Sequence, residues 1–422
     1  MRIPARTAPA LFLLLASPAS ATTWNVLPDG TGDFATIQAA IDAATDGDVI
    51  ELGDGTFTGA GNDALDFLGK AITVRSASGN PESCRLGLQD NMGLCEFPGV
   101  RFGQQEGPGS VLEAVTIQNH QDGAGDVGEC IDFATVLLTD SSPTLRRVVF
   151  RDNAPVEGHG TVVRARGGAP RFEDCVFRGN WGNALELVDS NATVTGCILE
   201  SNYGGGVSSG ATLAVDGGAP LVTSTAIRRN GNLGIGGDVG AGVLVQAGTP
   251  TLDGCLIAEN YLDGTGAGIV VDPGANLTVT RTTIAGNRAI TGGGLLVRGS
   301  CTITQSVIGA NCSTTDGPDV HVSPSGQVSL DCTAVDASRV SGPGLVSWGA
   351  TIVAADPLFC EPRTCEDPPS DEGLYSLQLL SPARDVPGCG TLGALYGVCT
   401  VSIAPMTWGR LKDLYRTDSR RP

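Results

Sequence analysis

The chain has 422 residues and a formal net charge of −19 at pH 7, with 26 Lys and Arg against 45 Asp and Glu. So acidic a surface repels polyanions, which excludes a nucleic-acid partner. Thirteen cysteines and 60 glycines point to an exported, turn-rich chain, and the odd cysteine number forbids pairing all of them within one molecule.

Residues 1–21 read as a secretory signal peptide. Arg2 and Arg6 precede an apolar run from Ala10 to Ala16, and Ala19, Ser20 and Ala21 form a small-residue cleavage site. No later stretch of eighteen apolar residues follows, so the expectation is a secreted or cell-surface protein without a transmembrane anchor. From Asp29 to Gly59, Thr36, Ile37, Ala40, Ile41 and Ala44 make one helical apolar stripe, and Asp46, Gly47 and Asp48 end it before a strand at Val49–Leu52. A short amphipathic helix in that place caps an otherwise open sheet end. Cys84 with Cys95, Cys360 with Cys365, and Cys389 with Cys399 are close enough in sequence to close small loops. Cys301, Cys312 and Cys332 are pairing candidates at the far end.

The middle of the chain is a repeat. Asn119, Asn153, Asn180, Asn202, Asn230, Asn260, Asn287 and Asn311 follow one another at intervals of 34, 27, 22, 28, 30, 27 and 24 residues. Three positions before the asparagine stand Phe150, Phe177, Leu199, Ile227, Ile257, Ile284 and Ile308, and two further back Val148, Cys175, Cys197, Thr225, Cys255, Thr282 and Ser306. The Asn119 segment keeps the residue types but slips in register. Alternate side chains of a strand share a face, so these two columns point inward together. No repeat buries its apolar face alone; stacked neighbours make the core. Glycine-rich turns and second strands such as Leu185–Leu187, Val243–Val245 and Ile269–Val271 complete each coil. The predicted fold is all-β, a right-handed parallel β-helix wound as a single solenoid over residues 22–355, with the N-terminal helix as its cap. Asn153, Asn180, Asn202, Asn230, Asn260, Asn287 and Asn311 form a structural ladder at one corner, bonding turn backbone that otherwise carries unpaired donors and acceptors. Cys175, Cys197 and Cys255 are small core residues of this column. A disulfide-bearing closing segment (356–400) and a short basic tail (401–422) follow. In that tail Trp408, Leu411, Leu414 and Tyr415 form an apolar stripe, and surface attachment is its candidate role.

The N-terminal stretch and the asparagine-ended coils resemble the secreted right-handed β-helix proteins of the pectin-lyase-like superfamily, which includes pectate lyases, pectin esterases and polygalacturonases. The resemblance covers residues 24–355 and is specific for fold; the fold hosts unrelated functions. It implies an extended polysaccharide lying along the outside of the column. The position two before each asparagine faces outward and holds Arg151, Arg178, Glu200 and Arg228, a row suited to a uronate carboxylate or to a plain solvated ion-pair ladder. Trp181 adds one stacking contact beside Arg178; the four tryptophans do not recur at one coil position. A lyase of this kind needs calcium, for which Asp122, Asp126, Glu129 and Asp132 are the candidate ligands, set in a loop that also reads as solvated surface. Gly158, His159 and Gly160 match one polygalacturonase fragment, and Asp132 with Phe133 one esterase fragment. The accompanying elements of both families are missing, so no catalytic residue is carried over. The expected function is a binding or scaffolding β-helix with a glycan partner; the alternative is a polysaccharide lyase or glycoside hydrolase.

Overall fold

A computed structural model of the protein describes residues 21–88, 98–119, 134–154, 160–204, 210–232, 240–363, 373–394 and 399. Among them one chain winds into a right-handed parallel β-helix of three long sheets. Sheet A has 13 strands, from Thr23–Val26 to Leu345–Trp348; sheet B has 12, from Gly55–Phe57 to Ile352–Val353; sheet C has 11, from Leu65–Asp66 to Val340–Ser341. Each full coil runs from C to A to B. The predicted helix forms at Ile37–Ala43, with Thr36 as N-cap and Ala44 as C-cap. Ile37, Ala40 and Ile41 are buried against the first strands of the column, covering the end as the stripe implied.

Two single-residue bends shape each coil. Arg147, Asp174, Ser224, Arg281 and Gln305 sit at positive φ between sheets A and B, and Asp152, Ser201, Arg229, Glu259 and Ala310 do so after sheet B. Left-handed backbone disfavours residues with a Cβ, so the conformation persists only because neighbouring coils over-determine it. Between the bends lie only four residues, the last three of them the strand, which fixes the inward columns. Phe150 pairs with Phe177, Phe177 with Leu199, Leu199 with Ile227, and so on to Ile308, all fully buried. The Phe150 and Phe177 rings stack at 4.5 Å between centroids. The register slip is real: Arg151 pairs with Gln118, so Asn119 falls opposite Asp152.

The seven asparagines from Asn153 to Asn311 are buried and form one ladder. Asn202 shows the rung: its Nδ2 donates to the Phe177 carbonyl at 3.0 Å and to Asn230 Oδ1 at 3.0 Å. Its own Oδ1 accepts from Asn180 N and Nδ2 at 3.2 and 2.9 Å.

The cysteines divide differently from the short-loop pairing. Cys84, Cys175, Cys197, Cys255 and Cys301 are free and buried. Cys84 therefore does not close a loop with Cys95. Cys332 pairs with Cys389 and Cys360 with Cys399, 57 and 39 residues apart, in place of Cys360 with Cys365 and Cys389 with Cys399. The first bond fastens the C-terminal segment to the side of the column, and the second closes that segment on itself. Strands Phe359–Glu361 and Leu374–Leu377 pair antiparallel, and Phe359, Tyr375, Leu377 and Leu392 pack on the outer face of sheet B against Leu256, Ala285 and Val307. This closing segment covers a flank of the column.

Replacing Asn202 by Ala strands the Phe177 carbonyl and the Asn180 amides in the interior. At about 1–3 kcal/mol per stranded group, Asn202→Ala lowers stability by about 3–5 kcal/mol in guanidinium unfolding of the full chain, whereas exposed Thr195→Ala stays within about 0.5 kcal/mol.

Candidate functional site

On the outer face of sheet B, Arg151 pairs with Arg178, Arg178 with Glu200, Glu200 with Arg228 and Arg228 with Ala258, so the anticipated row exists. Its charges are already joined to one another. Glu82, from a turn of an early coil, bridges Arg151 Nη1 and Arg178 Nη2 at 2.8 Å each. Arg151 also donates to Gln118 Oε1 through Nε and Nη2. Glu200 accepts from Arg228 at 2.9 Å and from Arg229 at 2.8 Å. Burial pushes the Glu200 carboxyl up, but the two guanidinium groups outweigh it and hold the group below the ordinary glutamate value. Burial depresses Arg228 against the pull of Glu200.

Beyond Arg228 the same column becomes Ala258 and Ala285, where the C-terminal segment lies. Buried Glu259 anchors that segment, accepting from Gly373 N at 2.6 Å and Tyr375 Oη at 3.1 Å. Burial and the Glu259 carboxylate push the Tyr375 hydroxyl far above its ordinary range.

The residue just after each ladder asparagine forms a second column, on the other side of the corner. Trp181 bridges to Tyr203, which pairs with Gly231, then Tyr261, then Arg288. Trp181 is 50% exposed and Tyr203 36%. Their ring centroids are 6.1 Å apart, and the Arg288 guanidinium lies 5.6 Å over the Tyr261 ring. A Cβ on Gly231 would meet Tyr203 Cδ1 at 3.8 Å and Tyr261 Cδ1 at 3.9 Å, so both tyrosine rings flank the glycine. Trp181 to Tyr261 spans three coils, about 14 Å. Burial, with exposed Asp263 beside it, raises the Tyr261 hydroxyl. Counting tryptophans alone concealed this strip. Reading every aromatic at the position after the asparagine reveals it from the sequence.

A third feature stands on the outer face of sheet C. Arg164 and Glu186 are register partners joined at 2.8 Å, and Thr161 Oγ1 donates to the same Glu186 oxygen at 2.6 Å. Arg164 is only 9% exposed, although it points away from the core. The pair does not stand out in the repeat, because its outward column changes type at every coil, from Arg101 and Leu137 through Arg164 and Glu186 to Ala214.

Asp122, Asp126, Glu129, Asp132, His159 and the tail from Val401 lie outside the described residues, as do residues 1–20 of the predicted signal peptide. Among the described residues, no three His, Cys, Asp or Glu side chains form a metal-holding group, and no helix is long and apolar enough to cross a membrane.

A family model described as a right handed beta helix region matches residues 134–315. No curated protein matches the sequence. Among solved structures, the chain is similar to pectate lyase Pel9A at 12% identity, over 89% of this chain and 96% of that one, with a TM-score of 0.46. It is similar to the catalytic unit of the thermostable GH87 alpha-1,3-glucanase from Streptomyces thermodiastaticus strain HF3-3 at 16% identity, over 81% and 70%, with a TM-score of 0.38. The PL6 family alginate lyase AlyGC aligns at 11% identity over 74% and 72%, with a TM-score of 0.27. These likenesses are of fold.

Because its folded pKa is depressed, Glu200 contributes stability that is complete above the ordinary glutamate value of 4.5 and is lost as pH falls through the lower folded value. The stability gap between wild type and Glu200→Gln, followed by urea unfolding, stays level from pH 7 to about 5 and narrows below that.

Proposed function

We propose that this chain is an exported or cell-surface β-helix that holds an extended polysaccharide along the corner from Trp181 through Tyr203 to Tyr261, with residues 401–422 as its segment for surface attachment. One observation carries this: aromatic side chains recur at one position of the coil and remain open to solvent where the first two lie. Large apolar rings on a monomer's surface cost solvation unless they meet a partner, and a row of them in coil register suits a partner that repeats along the column. Rigid strands hold the rings in place, so little ordering entropy opposes binding.

Cleavage of the bound chain, by a lyase or hydrolase, is the second reading. What favours it is the Arg164–Glu186 pair: a guanidinium and a carboxylate, 11% and 20% exposed, that share a hydroxyl contact from Thr161 on an outer sheet face, where desolvating both charges is costly. The solved β-helices that it resembles in fold act on polysaccharides by name. Calcium enters only with this reading, through the acidic residues Asp122, Asp126, Glu129 and Asp132.

A stacked ring contributes on the order of 1 kcal/mol, so Trp181→Ala and Tyr203→Ala each weaken binding about three- to tenfold in affinity electrophoresis through polysaccharide-containing gels. Unaltered mobility of the folded double variant removes the strip from the binding surface. Incubation with the same panel tests cleavage: new reducing or unsaturated ends that vanish in Glu186→Gln, with binding retained, assign catalysis to sheet C. A panel left intact leaves the scaffold.

A further inference from the structure

We infer that the polysaccharide held at the Trp181–Tyr261 corner is a neutral one, and that the neighbouring arginines serve the fold and do not recognise uronate carboxylates; this rests on the corner being the glycan site. Of the cations bordering the strip, Arg151 and Arg178 share the carboxylate of Glu82, and Arg228 and Arg229 share that of Glu200. Arg288 lies over Tyr261. A uronate carboxylate that reaches Arg151, Arg178, Arg228 or Arg229 either shares a guanidinium whose charge a carboxylate already matches, or displaces that carboxylate and strands it beside the site.

The exchange is least favourable at Glu200. Its side chain and that of Arg228 are 20% and 11% exposed, so the abandoned group is left partly desolvated. At Glu82 the pair is more open, but the displaced carboxylate stays next to the incoming one, and like charges at close range repel. The whole chain adds to this with its net charge of −19, which lowers the local concentration of any polyanion. A neutral pyranose meets no such opposition. Its C–H face lies on an aromatic ring, and its hydroxyls donate to exposed carboxylates such as Asp263, a contact that a uronate's charge would spoil.

The test is binding of the full chain to four probes of matched length: soluble β-glucan and galactomannan as neutral chains, polygalacturonate and alginate as uronates. Calorimetry at about 0.02 and 0.3 M salt separates charge recognition from stacking, because screening weakens the former. The expected result is neutral-chain affinity that is insensitive to salt and at least about tenfold above that for either uronate. Glu82→Gln, which leaves Arg151 and Arg178 without their shared carboxylate, should raise uronate affinity about tenfold at low salt while neutral binding holds within about twofold. Uronate binding as tight as neutral binding in the wild type, and weakened by salt, overturns the inference while keeping the corner as the site. So does a Glu82→Gln variant that is folded yet gains nothing for uronates. Failure of all four probes to bind overturns the glycan-binding proposal itself, and the inference with it.

Discussion

Every coil buries corner backbone that it cannot satisfy by itself, and the next coil's asparagine supplies what is missing. Each rung ties three coils together: Asn202 donates back to Phe177 and forward to Asn230 while accepting from Asn180. A ladder of amides that donate in one direction needs an end that only accepts. Asp319 supplies it, taking bonds from Asn311 N and Nδ2 at 3.3 and 3.0 Å on a carboxylate that is 1% exposed. Arg339 neutralises that carboxylate through Nε at 2.7 Å and also donates to the Asn311 carbonyl. A buried carboxylate without this partner would be costly; with it, the last rung closes as the others do.

A parallel constraint explains the thiols. Just after the bend between sheets A and B, the inward position holds Cys175, Cys197, Thr225, Cys255, Thr282, Ser306 and Thr333, all buried. The hydroxyls donate to the carbonyl two residues back: Thr225 to Thr223 at 2.9 Å, Thr282 to Thr280 at 2.8 Å, Ser306 to Thr304 at 2.7 Å. The cysteines place a weaker donor at the same carbonyl, Cys175 Sγ lying 3.6 Å from that of Glu173 and 3.3 Å from that of Leu145 in the coil before. From Cys175 onward the column holds something small that donates, whereas Val148 one coil earlier fills it without a donor. Burial raises the Cys255 and Cys301 thiols to about 12, so they stay protonated and unreactive.

The sequence makes these columns legible because a three-residue strand between two fixed bends gives every inward residue a constant distance from its asparagine. Phe177, Leu199 and Ile227 were identifiable for that reason, and so was the helix at Ile37–Ala43, whose stripe has its own period. What carries no period stays hidden. Glu82 reaches Arg151 and Arg178 across 69 and 96 residues from a turn outside the repeat. The partners of Cys332 and Cys360 lie in a segment that folds back along the column, where nearness in sequence says nothing about nearness in space. Tyr203 and Tyr261 did lie at a fixed offset. They are legible by position, the residue after the asparagine, and not by residue type, since the tryptophans do not recur there.

That difference between position and type also accounts for the outer face of sheet B. The bends hold the outward columns in register whatever residues occupy them, so their chemistry can change along the axis without disturbing the coil. Where the C-terminal segment approaches, the residues shrink. A Cβ on Gly309 would lie 3.4 Å from the Pro357 ring, and one on Gly286 would collide with the Tyr375 hydroxyl. Ala258 and Ala285 fill the same stretch, and the Cys332–Cys389 disulfide holds the segment there. Before Arg228 the column is charged, and its charges are spent on one another. The aromatic corner beside it is therefore where the column offers apolar surface in coil register that the described part of the C-terminal segment leaves uncovered. A solenoid that must cover its own flank with its last residues leaves its binding surface where that cover ends.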